Sequence, residues 1–205
     1  MKQDLDLEKI KLAANKMSTV SEKQRNTFLR HLSGDLLQKQ REIIKANIED
    51  LAKAKIQGLH SAFIDRLRLD ENRIKKLIIK LRDIKKLSAG IGEIIEERID
   101  EGKLLFKKIR VPLGVIAVIY EARPEVTIDV AALCVKSGNA AILKGGSAAV
   151  GTSKILYSCI SAALKKTGLD RKTVNFISSN DRRITNWLLQ QNNYIDLVIA
   201  RGGYG

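Results

Sequence analysis

The sequence predicts an α/β protein, in which a helical N-terminal part packs onto an open, doubly wound and mostly parallel β-sheet. Two apolar runs, residues 114–119 and 140–143, read as strands, and an amphipathic segment over residues 126–135 lies between them. This spacing is typical of a βαβ unit. Because both strands are apolar on both faces, they fit a parallel sheet that is covered by helices.

Helical signals fill the chain before this unit. Ser21-Glu22-Lys23-Gln24 has capping-box form, and apolar residues follow it at helical spacing, namely Phe28, Leu29, Leu32, Leu36 and Leu37. A second periodic run reaches Gly58, a natural C-cap, and comprises Ile43, Ile44, Ile48, Leu51 and Ala52. Asp70 precedes a third, made of Ile74, Leu77, Ile78, Leu81 and Ile84. No Gly/Ser/Pro-rich linker interrupts these runs, so we expect residues 1–103 to be a helical segment packed on the sheet.

The remaining elements extend the sheet. Residues 104–111 alternate loosely and are expected to be a strand or an extended arm that feeds it. After residue 147 we predict a helix over 148–166 that ends at Gly168, a strand over 174–177, a helix over 181–190 and a last buried strand over 195–200. Residues 104–205 are therefore predicted to form an α/β domain of β-α-β-α-β-α-β order.

Open parallel sheets bind ligands outside the carboxyl ends of their strands. One such end holds Lys144, Gly145, Gly146 and Ser147: a cation, two glycines that admit a ligand close to the backbone, and a helix start that favours anions. These residues predict a phosphate or ribose-phosphate site. The sequence is neither G-x-G-x-x-G nor a Walker loop, so a plain glycine turn with a Ser N-cap and a solvated Lys is the alternative.

Two arginines follow other strands. Arg123 precedes Pro124 in a restricted loop, which suits recognition of a carboxylate or phosphate; an ion pair with Glu121 or Glu125 is the alternative. Arg201 repeats the pattern after the last strand, where Gly202 and Gly203 can form an anion nest.

The composition argues against several other classes of protein. A net charge of +14 raises nucleic acid as a partner, but it is spread over mixed-sign helices and only 4% of residues are aromatic, so no nucleic acid is predicted. No run approaches the ~20 apolar residues of a membrane span, and the chain opens on charged sequence, so we expect a cytoplasmic protein with no membrane partner. Cys134 and Cys159 are expected to be buried structural thiols, and His31 and His60 to lie at the surface or its boundary. No residues suggest a metal site.

Four stretches carry a resemblance to a known family. VPLGVIAVIYEARPEVTIDVAALCVKSGNAAILKGGS and YIDLVIARGGYG, with ANIEDLAKAK and DRLRLDENRIKKL leading into SAGIGEII, resemble gamma-glutamyl phosphate reductase (glutamate-5-semialdehyde dehydrogenase) of the aldehyde dehydrogenase superfamily. The resemblance covers this whole chain but only about the first half of the usual enzyme. It implies a Rossmann-like cofactor domain that is truncated here.

The resemblance implies NADPH-dependent reduction of L-glutamyl 5-phosphate to L-glutamate 5-semialdehyde and phosphate, in proline biosynthesis. A cysteine thiolate attacks the acyl phosphate, and hydride from NADPH reduces the resulting thioester. It further implies a homo-oligomer when full length and channelling of the acyl phosphate from glutamate 5-kinase.

Carried onto this sequence, Lys144 matches the lysine that contacts the adenosine ribose and its phosphate. Ser147 stands where NAD-preferring relatives have a glutamate, so it would not repel a 2′-phosphate. Arg201, Gly202 and Gly203 resemble the turn near the pyrophosphate, and Arg123 with Glu121 is assigned to the substrate. The chain departs from the family where Glu125 replaces an asparagine and where Ala148 follows the glycine turn.

The family's nucleophilic cysteine is expected beyond residue 205, because Cys134 and Cys159 match helix positions. The 205-residue chain alone is therefore predicted to be inactive. Two alternatives remain: a non-catalytic protein that binds nucleotide or pairs with full-length subunits, and a basic protein that binds nucleic acid.

Overall fold

A computed structural model describes residues 5–121, 123–178, 181 and 183–201. Five helices precede the sheet, and two of the predicted caps are confirmed. The Ser21 hydroxyl accepts a hydrogen bond from the Gln24 amide at 3.2 Å, and the Asp70 carboxylate accepts one from the Arg73 amide at 2.9 Å. The helices are α1 (Leu7–Met17), α2 (Glu22–Gln38), α3 (Gln40–Ile56), α4 (Ser61–Leu67) and α5 (Glu71–Lys86).

The predicted β-α-β-α-β-α-β order is confirmed, and each predicted strand of the parallel sheet lies within two residues of its expected bounds. The strands lie side by side in the order β5-β4-β3-β6, and all neighbours are parallel. The elements are β3 (Val115–Tyr120), α6 (Glu125–Lys136), β4 (Ala140–Lys144), α7 (Val150–Thr167), β5 (Val174–Ile177), α8 (Arg183–Leu189) and β6 (Leu197–Arg201).

Helices cover both faces of this sheet, as a doubly wound fold requires. Ile116, Val118 and Tyr120 of β3 face a core that α6 and α7 share with α2 and α5. The alternate residues Val115 and Ala117 face a smaller core, which α1 and α8 complete with Ile10 and Leu188. Alternate residues of β3 therefore contribute to two different cores, which explains why the sequence of this strand is apolar throughout.

The N-terminal helices pack directly on α6 and α7. α2 and α3 lie against α7, and α5 lies against α6. The buried Lys136 ammonium, at the end of α6, donates to Glu22 Oε1 at 2.6 Å, Asn26 Oδ1 at 2.7 Å and the Lys85 carbonyl oxygen at 3.2 Å. One side chain thus joins three helices.

The predicted core face of α3 is wrong in part. Ile43 is buried as expected, but Ile48 is 61% exposed, Ala52 is exposed as well, and the buried stripe continues through Asn47, Asp50 and Ala54. Two polar residues occupy core positions because partners from distant parts of the chain bind them, as described below. Leu37 of α2, another expected core residue, is also exposed.

Residues 104–111 do contain a strand, β2 (Leu105–Ile109), but it does not feed the parallel sheet. It pairs antiparallel with β1 (Ile94–Ile99), a strand that was not predicted within the N-terminal segment. Every residue of both strands is exposed. The apolar pattern of β1 is interrupted by Glu96, Glu97 and Arg98, so the periodicity of the sequence did not predict this strand.

The last strand is present but is not buried as expected. β6 lies at the edge of the sheet, and Leu197 and Ile199 are 38% and 45% exposed. The cysteine and histidine predictions are confirmed, since Cys134 and Cys159 are buried, His31 is half-buried and His60 is exposed. Among the described helices, none is long and apolar enough to cross a membrane.

Candidate functional site at the strand ends

The carboxyl ends of β3, β4 and β6 meet at one edge of the sheet. Tyr120, the last residue of β3, is in register with Arg201 of β6, and its neighbour Ile119 is in register with Lys144 of β4. From β3 the chain moves to β4 and β5 on one side and then returns to β6 on the other. The strand order therefore reverses at β3, and such a switch point is where open α/β sheets bind ligands.

Lys144 contributes a buried positive charge to this edge. Its side chain is only 8% exposed, and within the described residues no acceptor lies at hydrogen-bonding distance from Nζ. Burial lowers the pKa of the ammonium group, and the nearby Asp181 carboxylate partly offsets this effect. Since a buried charge is costly unless it is paired, Lys144 is suited to bind an anionic group of a ligand.

The two glycines allow the β4 loop to lie against the end of β3. A Cβ atom on Gly145 would stand 3.3 Å from Cε2 of Tyr120, and one on Gly146 would stand 3.2 Å from Cα of Glu121. The Tyr120 ring is fixed by a 2.7 Å hydrogen bond between its hydroxyl and that of Thr127. Burial raises the pKa of the Tyr120 phenol, so the ring stays neutral. This packing role of Tyr120 was not predicted, and its position at the end of β3 was the available signal.

Ser147 lies at a helix start, but it is not an N-cap. It is exposed and begins a 3-10 turn, Ser147–Ala149, which runs into α7. The N-cap of α7 is Ala149, and the Thr152 amide in the first turn donates to Asp50 Oδ2 at 2.7 Å. The prediction of a free helix end that attracts anions is therefore wrong in part, because a carboxylate of the protein already binds there.

The loop after β3 carries the predicted substrate residues. Glu121 and Arg123 are exposed, and the Arg123 amide donates to the Glu121 carbonyl oxygen at 2.8 Å, which closes a tight turn before α6. The substrate assignment of both residues stays a prediction.

Arg201 is the last residue of β6 and the last residue that the structure describes. It is exposed at the sheet edge, beside the end of β3. Gly202 and Gly203 lie outside the described residues, and so do four positions of the loops after β3 and β5. Asp181, which lies between two of these positions, accepts hydrogen bonds from the Arg183 amide and from its side chain, each at 2.9 Å.

Neither cysteine has the properties of a nucleophile. Burial raises the pKa of the Cys134 thiol to about 12 and that of the Cys159 thiol to about 11. Cys134 lies in α6 and Cys159 in α7, away from the strand ends. Among the described residues, no group of three or more His, Cys, Asp or Glu could hold a metal ion.

Comparisons with known proteins agree with this architecture, although no protein-family model matches the chain. A gamma-glutamyl phosphate reductase of Clostridium novyi is 45% identical over 195 residues, which are 95% of this chain and 47% of the relative. The corresponding protein of Vibrio cholerae is 40% identical over 195 residues, with the same two shares. The chain thus spans about half the length of the curated relatives it matches.

Solved structures give the same result. The gamma-glutamyl phosphate reductase of Thermotoga maritima superposes with a TM-score of 0.93 at 34% identity, over 97% of this chain and 48% of that one. The Saccharomyces cerevisiae protein gives 0.90 at 32% identity, over 99% and 52%. A probable aldehyde dehydrogenase of Listeria monocytogenes gives 0.72 at 18% identity, over 97% and 41%, which shows a shared fold.

The helical layer and the parallel sheet with its reversed strand order therefore define an aldehyde dehydrogenase-like α/β fold. Within that class, the sequence and structure match the N-terminal half of the gamma-glutamyl phosphate reductases.

Proposed function

We propose that this chain is the cofactor-binding half of an enzyme that reduces L-glutamyl 5-phosphate to L-glutamate 5-semialdehyde with NADPH, in proline biosynthesis. The observation that carries the proposal is the match of 95% of the chain, at 45% identity, to a protein named for this reaction. The buried Lys144 ammonium at the strand-order switch, which has no hydrogen-bond acceptor among the described residues, supports it independently.

The residues at the strand ends fit a nicotinamide dinucleotide. In this proposal Lys144 binds the adenosine ribose and its 2′-phosphate, and Gly145 and Gly146 let the loop that follows Lys144 pack against the end of β3. Ser147 adds no negative charge that would repel a phosphate. Arg201, with Gly202 and Gly203, binds the pyrophosphate side, and Arg123 with Glu121 orients the acidic substrate.

When bound, the cofactor supplies the hydride. The chain's own groups bind and orient, since its two cysteines are protonated thiols inside helices. We therefore assign the nucleophilic cysteine to sequence beyond residue 205 and expect no reductase activity from residues 1–205 alone. The proposed organisation is a helical segment over residues 1–103 and a cofactor domain over residues 104–205.

The same proposal covers the setting of the enzyme. It is a cytoplasmic homo-oligomer in its full-length form, it receives its unstable acyl phosphate by channelling from glutamate 5-kinase, and it has neither nucleic acid nor a membrane as a partner. The strand-end cation beside a glycine loop favours a small anionic ligand over a polyanion, because the other charges are spread over helix surfaces.

Cofactor selectivity tests the proposal. Calorimetric titration of the chain with NADPH and with NADH is expected to give at least tenfold tighter binding of NADPH, a difference of about 1.4 kcal/mol. Equal affinities would overturn the NADP assignment. Binding of neither nucleotide, together with salt-steep binding of duplex DNA, would favour the nucleic-acid alternative.

An activity assay tests the assignment of the nucleophile to another part of the protein. Residues 1–205 are mixed with glutamate semialdehyde, phosphate and NADP, and the appearance of NADPH is followed. We expect no turnover. Turnover by this chain would contradict the assignment of the nucleophile to another part of the protein, whereas nucleotide binding by a native protein of this length would favour the non-catalytic alternative.

A further inference from the structure

The buried polar pair on α3, Asn47 and Asp50, has no part in the function proposed so far. Asp50 Oδ2 accepts hydrogen bonds from both the amide and the hydroxyl of Thr152, each at 2.7 Å. Thr152 belongs to the first turn of α7, the helix that follows the Lys144–Ser147 loop. A carboxylate at a helix N-terminus binds its free amides and complements the helix dipole.

Asn47 extends this network to another part of the chain. Its amide donates to the Leu67 carbonyl oxygen at 2.9 Å and to the Thr152 hydroxyl at 3.3 Å, and its oxygen accepts from the Leu69 amide at 2.7 Å. α3, the segment after α4 and the start of α7 are thus joined by buried hydrogen bonds. Such a network is stable in one arrangement only, because breaking it would leave buried polar groups unpaired.

Apolar contacts act at the same place. Ala149, which is buried at the end of the 3-10 turn, packs in a small cluster with Ala54 of α3 and Leu67 of α4, and Ala148 lies at its margin. Gly151 also fits only because it lacks a side chain, since a Cβ atom there would stand 2.8 Å from Asp50 Oδ1. The turn between the glycine loop and α7 is therefore fixed from the N-terminal helices by polar and apolar contacts together.

We infer that Asp50 is a positioning residue for the cofactor loop: by binding the first turn of α7, it fixes residues 144–147 in the conformation that receives the ligand. The inference rests on the proposed function for the identity of that ligand. It also explains why an anion would bind at Lys144 and not at the N-terminus of α7, where the Asp50 carboxylate already binds.

The test replaces Asp50 and measures the loop and the ligand separately. In Asp50→Ala, amide hydrogen exchange is expected to rise in residues 145–153 and to stay unchanged in β3 and α2, and the Kd for NADPH is expected to rise about tenfold. Glu49→Ala is the matched control, because Glu49 is the neighbouring carboxylate on the exposed face of α3. It should behave like the unmodified chain in both measurements.

Two further variants keep the test decisive if Asp50→Ala does not fold. Gly151→Ala presses a methyl group against the Asp50 carboxylate while it removes no polar atom. Thr152→Val removes the two hydrogen bonds of the hydroxyl, to Asp50 and from Asn47, and keeps the amide contact with Asp50. Both should loosen the same loop and weaken NADPH binding. On helix propensity alone, Gly151→Ala would stabilise α7, so weaker binding in this variant cannot come from the loss of helix.

The outcomes are distinct. An unchanged loop in these variants, or exchange that rises evenly over the whole chain, would overturn the positioning role and leave Asp50 as an ordinary buried contact. A looser loop with unchanged NADPH affinity would overturn it as well. If the unmodified chain does not bind NADPH, the proposed function fails, and hydrogen exchange alone then decides whether Asp50 fixes the loop.

Discussion

Gly114, at the entry to β3, shows how strictly single residues are specified in this fold. Its φ angle is +120°, and a Cβ atom there would stand 2.1 Å from the Asp196 carboxylate, which accepts a hydrogen bond from the Val115 amide at 2.8 Å. The same carboxylate binds the Lys11 ammonium at 2.7 Å. The starts of β3 and β6 and the middle of α1 are therefore held at one point that has no room for a side chain.

We predict that Gly114→Ala lowers the free energy of unfolding by about 3 kcal/mol or more, because it combines backbone strain with the displacement of Asp196. Gly34→Ala is the control. Gly34 lies inside α2, and no atom lies within 4 Å of the position that a Cβ atom would take, so alanine there should stabilise the protein by about 0.5 to 1 kcal/mol. Urea unfolding of both variants measures the difference, and equal stabilities would contradict this account of Gly114.

The buried thiols predict a particular loss of stability in alkali. Burial raises the pKa of both cysteines from 9.0, so above about pH 9 the unfolded chain releases protons that the folded chain retains. The stabilising effect is complete below pH 9 and is lost as the pH rises towards the folded values. We expect a loss of about 1 kcal/mol per cysteine between about pH 9 and pH 10.

Urea unfolding at several pH values checks this expectation. The double variant Cys134→Ala, Cys159→Ala should lose less stability than the unmodified chain over the same interval, although it starts from a lower value because two buried side chains are truncated. Parallel pH profiles for the two proteins would show that the thiols are not responsible.

Residue-scale prediction succeeded where the signal was local and failed where partners were distant. Lys144, Gly145 and Gly146 could be predicted as a strand-end loop from their neighbours in sequence. Asp50 could not, because its partner Thr152 is far along the chain and a buried carboxylate is recognisable only once that partner is known. The same reason accounts for the partly wrong core face predicted for α3.

At the scale of elements, the parallel strands were predictable because burial on both faces makes their sequences continuously apolar. The β1–β2 hairpin follows other rules. Its residues are all exposed, so no core imposes a period of two on its sequence, and charged residues stand beside Ile95, Ile99 and Phe106. The edge strand β6 is exposed too, whereas β5 at the opposite edge is buried, so the edge position alone does not account for its exposure.

The exposed β1–β2 hairpin and the edge strand β6 predict self-association of the 205-residue chain. Ile99 of β1 is 70% exposed and pairs with the exposed Leu105, and the outer edge of β6, which carries Ile199, pairs with no strand among the described residues. Such surfaces promote edge-to-edge pairing. We expect Ile99→Lys and Ile199→Lys to lower the light scattering of concentrated samples, with Lys154→Gln on the exposed face of α7 as the control. A strictly monomeric unmodified chain would contradict this expectation.

At the scale of the whole molecule, the chain buries two hydrophobic cores, one on each face of its sheet. It spans about half the length of its relatives. We predict that an antibody raised against residues 1–205 detects, in an extract of the source cells, a polypeptide about twice this length. A band at the length of this chain would instead favour the non-catalytic alternative, because the native protein would then lack the family's nucleophile.

The most direct test of the central claim, that the strand ends of this chain bind NADPH through Lys144, is a titration of NADPH into three proteins. They are the unmodified chain, Lys144→Met and the control Lys154→Met, which removes an exposed lysine from α7. We expect Lys144→Met to weaken binding by at least tenfold, since it removes a charge-assisted contact of about 1.5 to 3 kcal/mol. The control should bind like the unmodified chain. Equal affinities in all three proteins would contradict the account.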